Sequence, residues 1–269
     1  MEKYIDFDSI GFTDDFMFQS VMMDEKICKA VLERIMQIKL RRISVLQKEK
    51  AAQGGPLARS VRFDVYCEDE EGNAFDVEMQ NVNEGDLPLR ARYYQAMMDS
   101  GLLEKGIKSY RELRRGVIIF LCNFNPFGGA RALYHVKCSP IEGDDIPYED
   151  GALKIFACTE GKSEGTPVEI LRFLSYLKSK QTGDDLTKEI DAKVKEYRSN
   201  PSWRGNYMEN HAHEWDLLDR GRKEGKAEGE GRYAKLIEAL FADGKADLVL
   251  KTADDPELRE SLYRQYGIA

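Results

Sequence analysis

The stretch that decides the fold runs from residue 61 to residue 80 and reads VRFDVYCEDEEGNAFDVEMQ. Apolar and polar residues alternate over its first seven and its last seven positions, which is the period-two pattern of half-buried β-strands. The acidic, glycine-containing segment between them, residues 69–73, is typical of a short connection. The sequence therefore predicts a β-hairpin in which each strand has one apolar and one polar face.

The polar faces of this hairpin carry Asp64 on the first strand, and Glu78 and Gln80 on the second. If the two apolar faces share one core, the register must place all three residues on the same side, which requires a loop of three or five residues. Asp64 would then stand opposite Glu78 or Gln80, with Cβ atoms about 5 Å apart. Two carboxylates held that close repel each other, and a hard divalent cation such as Mg²⁺ or Mn²⁺ is the usual remedy.

A divalent metal held in this way lowers the pKa of a bound water and stabilises the charge that builds on a scissile phosphate, as phosphodiester hydrolysis requires. Such a site needs neither histidine nor cysteine. Spacing alone leaves an alternative open, in which the acids lie on a solvated strand face and are neutralised by Arg62 or by a basic residue of a helix.

Outside the hairpin the pattern predicts one or two helices over residues 14–38, a helix over residues 88–103, and a helix that begins at Pro167. Residues 116–122 are continuously apolar, as expected of a central strand buried on both faces, and residues 132–138 and 153–158 are further strand candidates. We expect a first domain over residues 1–215. A charged, glycine-containing linker follows over residues 216–231, where a flexible tether is favoured over a helix, and a small helical module over residues 232–269 completes the chain.

The net charge of −8 excludes a protein that coats nucleic acid by bulk attraction. Residues 90–115 hold seven basic and three acidic residues, a local charge of +4, and predict either a local DNA contact or an ordinary solvated helix face. Five cysteines without a CxxC pair indicate reduced thiols rather than a structural zinc site. The sequence contains neither a membrane-length apolar stretch nor a signal-peptide pattern, and it predicts a cytoplasmic protein.

An Asp near the end of one strand, a hairpin, Glu-x-Gln on the next strand and then a helix resemble the PD-(D/E)XK nuclease superfamily. More narrowly, the chain is similar to the Rpn-type recombination-promoting nucleases, a group of PD-(D/E)XK family transposases. The matching segments lie along most of the chain: DDFMFQSVM (14–22), RFDVYCEDEEGNAFDVEMQ (62–80), RARYYQAMM (90–98), GVIIFLCNF (116–124) and EGKAEGEG (224–231).

The resemblance implies an α/β, restriction-endonuclease-like fold: a mixed β-sheet flanked by helices, here with a C-terminal helical extension. It also implies a Mg²⁺-dependent (or Mn²⁺-dependent) DNA endonuclease, with Asp64 and Glu78 as metal ligands and Gln80 at the position of the superfamily lysine. Arg90 and Arg92, on the helix after the hairpin, are the expected DNA contacts. A homodimer would help such an enzyme to cut both strands.

Two departures from the superfamily pattern bear on activity. Phe63 stands where the superfamily name has proline, at a loosely defined position. Gln80 replaces the lysine, and an amide can neither supply positive charge nor take a proton, although it can orient water by hydrogen bonding. The same fold without catalysis, binding DNA or a protein partner, is therefore the alternative function, and an oligomerisation protein with self-associating C-terminal helices is a third.

Overall fold

The computed structural model describes residues 6–52, 59–102, 109–129, 131–143 and 146–268, apart from the side chains of residues 213–215 and 218–219. The chain forms two compact units, Met1–Arg204 and Gly205–Ala269. The first unit holds a β-sheet and its flanking helices, and the second is helical. The predicted division at residues 215 and 231 stays a prediction.

The described part of the first unit contains a six-stranded mixed sheet in the order β1-β2-β3-β4-β6-β5. Its strands are β1 (Ile43–Ala52), β2 (Val61–Asp69), β3 (Ala74–Gln80), β4 (Gly116–Cys122), β5 (Leu133–Val136) and β6 (Ala152–Cys158). The pairs β1–β2, β2–β3 and β5–β6 are antiparallel, whereas β3–β4 and β4–β6 are parallel. Both β3 and β4 are buried along their whole length, as the continuous apolar run predicted for β4.

Helices cover both faces of this sheet. They are α1 (Asp15–Met22), α2 (Glu25–Met36), α3 (Leu87–Leu102), α4 (Val168–Ser179) and α5 (Asp185–Ser199). On one face, α3 packs its apolar residues against Ile118 and Phe120 of β4 and Phe156 of β6. The helices α1 and α2 contact β2 and β1 and pack against α5, while α4 contacts α2 and α5. This is the predicted α/β architecture, and the restriction-endonuclease-like expectation agrees with it.

The predicted hairpin is confirmed, with its register. Glu68 pairs with Ala74 across the turn, so five residues separate the two strands at that pair, one of the two lengths that the sequence allowed. Gly72 adopts a φ of 80°, which is accessible to glycine at little steric cost. Strand β1 was not predicted, because its alternation over residues 43–52 is masked by a high proportion of charged residues. Residues 53–56 of the expected small-residue loop, and the basic residues 105 and 108, lie outside the described residues.

The expected strict alternation along β2 is wrong at its first half. Phe63 and Tyr66 lie on the same side of the sheet, with ring centroids 6.0 Å apart. The reason lies in β1, where Glu49 has a left-handed φ of 52°. Lys48 therefore covers the Phe16 ring of α1 at 5.4 Å, whereas Lys50 covers the Tyr66 ring at 3.3 Å. The side-chain direction of both strands changes at Glu49 and at Asp64 opposite it.

The C-terminal residues form α6 (Pro201–Ala242), α7 (Asp247–Asp254) and α8 (Pro256–Gln265). Residues 216–231, for which the sequence favoured a flexible tether, lie inside α6. Gly244 and Gly267 adopt left-handed φ values of 70° and 63° just after the ends of α6 and α8. Leu236, Leu240 and Leu262, with Tyr263, form the small core of the second unit.

The thiols and one tryptophan belong to the body of the first unit. All five cysteines are free thiols, as the sequence indicated. The Trp203 side chain is buried, and its Nε1 donates a hydrogen bond of 2.9 Å to Ser20 Oγ. Within the described residues, no helix has the length and apolar character that a membrane span needs.

Candidate active site

The site begins where the ladder between β2 and β3 ends. The last regular backbone pair between β2 and β3 is Val65 with Val77. Beyond this pair, carboxylate side chains rather than backbone carbonyls accept the hydrogen bonds between the two strands. The Glu78 carboxylate accepts a hydrogen bond from Asp64 N at 2.9 Å, and the Asp64 carboxylate accepts one from Met79 N at 3.2 Å. Because each carboxylate binds the backbone of the opposite strand, the two acids share one gap between β2 and β3.

This gap opens into a cleft of about 830 Å³. The cleft is formed by the hairpin, the segment after β3, the start of α1 and the first turns of α3. Its lining residues are Asp15, Arg59, Ser60, Val61, Arg62, Asp64, Glu78, Met79, Gln80, Asn81, Val82, Glu84, Asp86, Leu89, Arg90, Tyr93 and Tyr94. The structure thus brings together all three residues that the sequence predicted for catalysis.

The acids of the site are unusually buried. Glu78 is 2% exposed and Asp76, two residues before it, is fully buried. Burial raises the pKa of Glu78 to about 8, and the nearby Asp64 carboxylate adds to this. Burial likewise raises the pKa of Asp64 to about 6, against the hydrogen bond from Met79 N. Both Asp76 oxygens lack a hydrogen-bond donor among the described residues, so this part of the site has an excess of negative groups over positive partners.

Gln80 lies beside these acids and contacts α3. Its Nε2 is 3.5 Å from Glu78 Oε2, and its Oε1 accepts a hydrogen bond of 2.8 Å from Arg90 Nη1. Arg90 Nη2 lies 4.0 Å from Glu78 Oε2 and 3.4 Å from the Tyr94 hydroxyl. Arg90 and Tyr94 are four residues apart on α3, which places both on the helix face toward the site.

The two predicted DNA contacts occupy different positions. Arg90 lines the cleft and is partly buried, whereas Arg92 is exposed and does not line it. Two residues along a helix correspond to a rotation of about 200°, so the two side chains point in nearly opposite directions around α3. The cleft has two further basic residues in the described part of the chain: Arg59, and Arg62, which pairs with Glu49 at 3.4 Å.

Sequence reasoning missed the contribution of α1. Asp15 lines the cleft and its charge raises the pKa of Asp64, while Gln19 Nε2 lies 3.5 Å from Asp64 Oδ1. The sequence contains a signal for this contact. Asp15 and Gln19 are four residues apart, so they share one helix face, and Gln19 interrupts a run of apolar residues on α1. Glu33 of α2, another acid ahead of the hairpin, does not line this cleft, and its carboxylate accepts a hydrogen bond from Leu40 N.

The donor chemistry of the site fits a hard divalent cation. Asp64 and Glu78 supply two carboxylates in one gap, and the buried Asp76 beside them has no compensating donor. No group of three or more acidic, histidine or cysteine side chains is arranged around a metal position in the described part of the chain. Mg²⁺ is commonly bound by one or two protein carboxylates, and water or substrate phosphate supplies its remaining ligands.

Residues 13–144 match the family model described as PD-(D/E)XK nuclease family transposase. The matched segment includes α1, the hairpin, α3 and β4, and with them the three catalytic candidates and both arginines of α3. Searches among curated proteins and among solved structures gave no match. The whole of this cleft therefore lies within the segment, residues 13–144, that is similar to the PD-(D/E)XK nuclease family of transposases.

Proposed function

We propose that this protein is a Mg²⁺- or Mn²⁺-dependent DNA endonuclease that hydrolyses phosphodiester bonds. The observation that carries the proposal is the shared gap in which Asp64 and Glu78 each bind the backbone of the other's strand. Similarity to a nuclease family supports the reaction class. The cleft above the two acids is open and lined by both acidic and basic side chains, as binding of a cation and a phosphate together requires.

In this proposal Asp64 and Glu78 hold the cation, which supplies electrostatic stabilisation to the reacting phosphate. Gln80 is placed beside Glu78 and donates its amide hydrogens to an oxygen in the cleft, either of the attacking water or of the phosphate. Arg90, from inside the cleft, and Arg92, from the exposed face of α3, contact DNA phosphates. The buried strand β3, paired with the buried β4, holds Glu78 rigidly, since neither strand can shift without disturbing the centre of the sheet.

The substrate is DNA in this proposal, bound locally despite the acidic protein, and salt is expected to weaken binding strongly. The transposase description of the family favours a role of the cut in recombination or DNA mobility. A homodimer would present one site to each strand of a duplex. A cytoplasmic location stays a prediction from the sequence.

Plasmid cleavage tests the proposal. We expect the wild-type protein to nick or linearise supercoiled plasmid with Mg²⁺ or Mn²⁺ and not with chelator. Asp64→Ala and Glu78→Ala should abolish cutting while DNA binding remains. Asp64→Asn and Glu78→Gln are the sharper variants, because each amide oxygen still accepts the backbone hydrogen bond while the charge that holds the cation is lost.

Glu71→Gln is the matched control, because this glutamate lies in the same hairpin but is exposed in the turn. It should cut at the wild-type rate. Equal cutting by the wild-type, Asp64→Asn and Glu78→Gln proteins would contradict the proposal, because the activity would then belong to another site or to a contaminant.

A binding module without catalysis is the second candidate, and the uncharged Gln80 is the observation that favours it. In that case the wild-type protein binds DNA at modest salt, does not cut it with either metal, and loses affinity when Arg90 or Arg92 is replaced. Absence of DNA binding at modest salt would instead favour a structural or oligomerisation role.

A further inference from the structure

The family name places a lysine two residues after the second acid, and this chain has Gln80 there. A lysine would bring one positive charge to the cleft beside the acids, where negative charge develops on a phosphate during hydrolysis. The amide of Gln80 is neutral, and its side chain is 9% exposed, so solvent does not compensate for the missing charge. If the enzyme cuts DNA, another residue has to supply this charge.

Arg90 occupies the position from which that charge can act. Its guanidinium donates to Gln80 Oε1 at 2.8 Å and lies 4.0 Å from Glu78 Oε2, so it touches both the amide and the acid. The ring of Tyr94 lies 5.6 Å from the guanidinium carbon, and its hydroxyl accepts at 3.4 Å from Nη2. These contacts hold Arg90 against the wall of the cleft, where its side chain is 28% exposed.

The hydrogen bond from Arg90 also determines which way the Gln80 amide faces. Because Oε1 accepts from Arg90 Nη1, the NH₂ group is directed to the opposite side, where Nε2 approaches Glu78. A cation on the carbonyl oxygen draws electron density from the amide and makes its N–H groups stronger donors. Gln80 therefore presents to the cleft a donor that is polarised by a neighbouring positive charge.

We propose that Arg90 is a positioning residue that supplies, through Gln80, the positive charge that a lysine at position 80 would carry. This inference rests on the proposed nuclease function and adds a role for Arg90 beyond contact with DNA phosphates. It also accounts for a glutamine at a position where an isolated amide would be a poor substitute.

The other cleft arginines do not have this geometry. Arg62 has a side chain that is 68% exposed and is paired with Glu49 at 3.4 Å, on the opposite edge of the hairpin. The backbone of Arg59 accepts a hydrogen bond from the Tyr93 hydroxyl at 2.7 Å, and its own residue is exposed. Arg90 is the residue among the three whose guanidinium the structure places within hydrogen-bond distance of Gln80.

The inference is tested by removing the positive charge at position 90 and introducing one at position 80. Four proteins are compared in steady-state DNA cleavage: wild type, Arg90→Met, Gln80→Lys and the double variant. We expect Arg90→Met to lower kcat by about 10²–10³-fold, as for removal of one donor to the transition-state charge. A pure phosphate contact would instead raise KM and the Kd for DNA and leave kcat close to that of the wild type.

The decisive comparison is the effect of Gln80→Lys in two backgrounds. In Arg90→Met, the lysine restores the missing charge, and we expect kcat to rise at least about tenfold. In the wild-type background the new ammonium lies against the Arg90 guanidinium, so the same substitution should lower kcat. A merely structural role of Arg90 would not produce a gain that depends on the background.

Arg172→Met is the matched control, since this arginine is exposed on α4 and does not line the cleft. It should cut at the wild-type rate. Melting temperatures and DNA affinity without metal, measured for every variant, separate loss of fold or binding from loss of catalysis. A wild-type protein that cuts while Arg90→Met keeps its kcat, or while Gln80→Lys fails to rescue a folded Arg90→Met, overturns the inference alone. A folded wild-type protein that never cuts overturns the proposed function as well.

Discussion

Replacement of Glu78 by glutamine should stabilise the metal-free protein at alkaline pH. Burial raises the pKa of Glu78 to about 8, against about 4.3 in an unfolded chain. Between these values the folded state keeps a proton that the unfolded state releases, so stability falls as pH rises through this window. One pKa unit corresponds to about 1.4 kcal/mol, and the shift therefore costs about 5 kcal/mol near pH 8.

Glutamine removes this cost because its amide is neutral at every pH. The Oε1 atom still accepts from Asp64 N, whereas the contacts of Oε2 with Gln80 and Arg90 are lost. Allowing about 1–2 kcal/mol for those contacts, we expect Glu78→Gln to raise the free energy of unfolding by about 3–4 kcal/mol near pH 8. The advantage should vanish as the pH falls to about 3, because the wild-type carboxyl is then protonated in both states.

Urea unfolding in chelator, followed at several pH values, measures this difference. The exposed Glu71→Gln variant controls for the loss of one negative charge from the whole protein. Excess Mg²⁺ should stabilise the wild-type protein near pH 8 and have little effect on Glu78→Gln, since a cation that binds only the folded state adds to its stability. A Glu78→Gln protein that is no more stable than wild type near pH 8 would refute the reasoning.

Three further predictions concern other parts of the chain. Trp203→Ala removes a buried ring and its hydrogen bond to Ser20, and should cost about 3–5 kcal/mol in urea unfolding. Gly161→Ala places a Cβ 2.4 Å from Ala132 Cα, a backbone atom, and should lower stability by at least about 1–3 kcal/mol, with a lower melting temperature. Gly225→Ala, in open space on α6, should instead add about 0.5–1 kcal/mol to the stability of that helix, measured as higher helical content on heating by circular dichroism.

Much of the fold follows from local pattern. The continuously apolar run at residues 116–122 predicted a strand buried on both faces, and the structure has Gly116–Cys122 as that strand. The hairpin followed from period-two alternation on either side of an acidic turn. Strand β1 did not, since Lys48 and Lys50 place their ammonium groups over aromatic rings, and a hydropathy pattern does not register such contacts.

The sequence predicted the acidic residues of the site but not the residues of α1 and α3 that contact them. Alternation predicted Asp64, Glu78 and Gln80 on one face of the hairpin. In the structure Asp64 meets Glu78 through the change of side-chain direction in β2, which the sequence pattern did not predict. The contacts from α1 and α3 depend on how separate helices dock on the sheet, which spacing along the chain does not specify. For that reason the sequence did not predict Gln19 beside Asp64 or the hydrogen bond from Arg90 to Gln80, whereas the DNA contact of Arg90 stays a prediction.

The alternation of side-chain direction along β2 breaks at Asp64, the candidate catalytic acid. With regular alternation the ladder would continue, and the backbone of Asp64 would pair with that of Glu78. The change of direction at Glu49 and Asp64 instead ends the ladder at Val65, so that both carboxylates occupy the space that backbone groups would fill. Local departures of this kind persist where function selects them against their cost in stability. The irregularity and the buried acids therefore have one explanation, since both are needed to hold two carboxylates in a single gap at the base of the cleft.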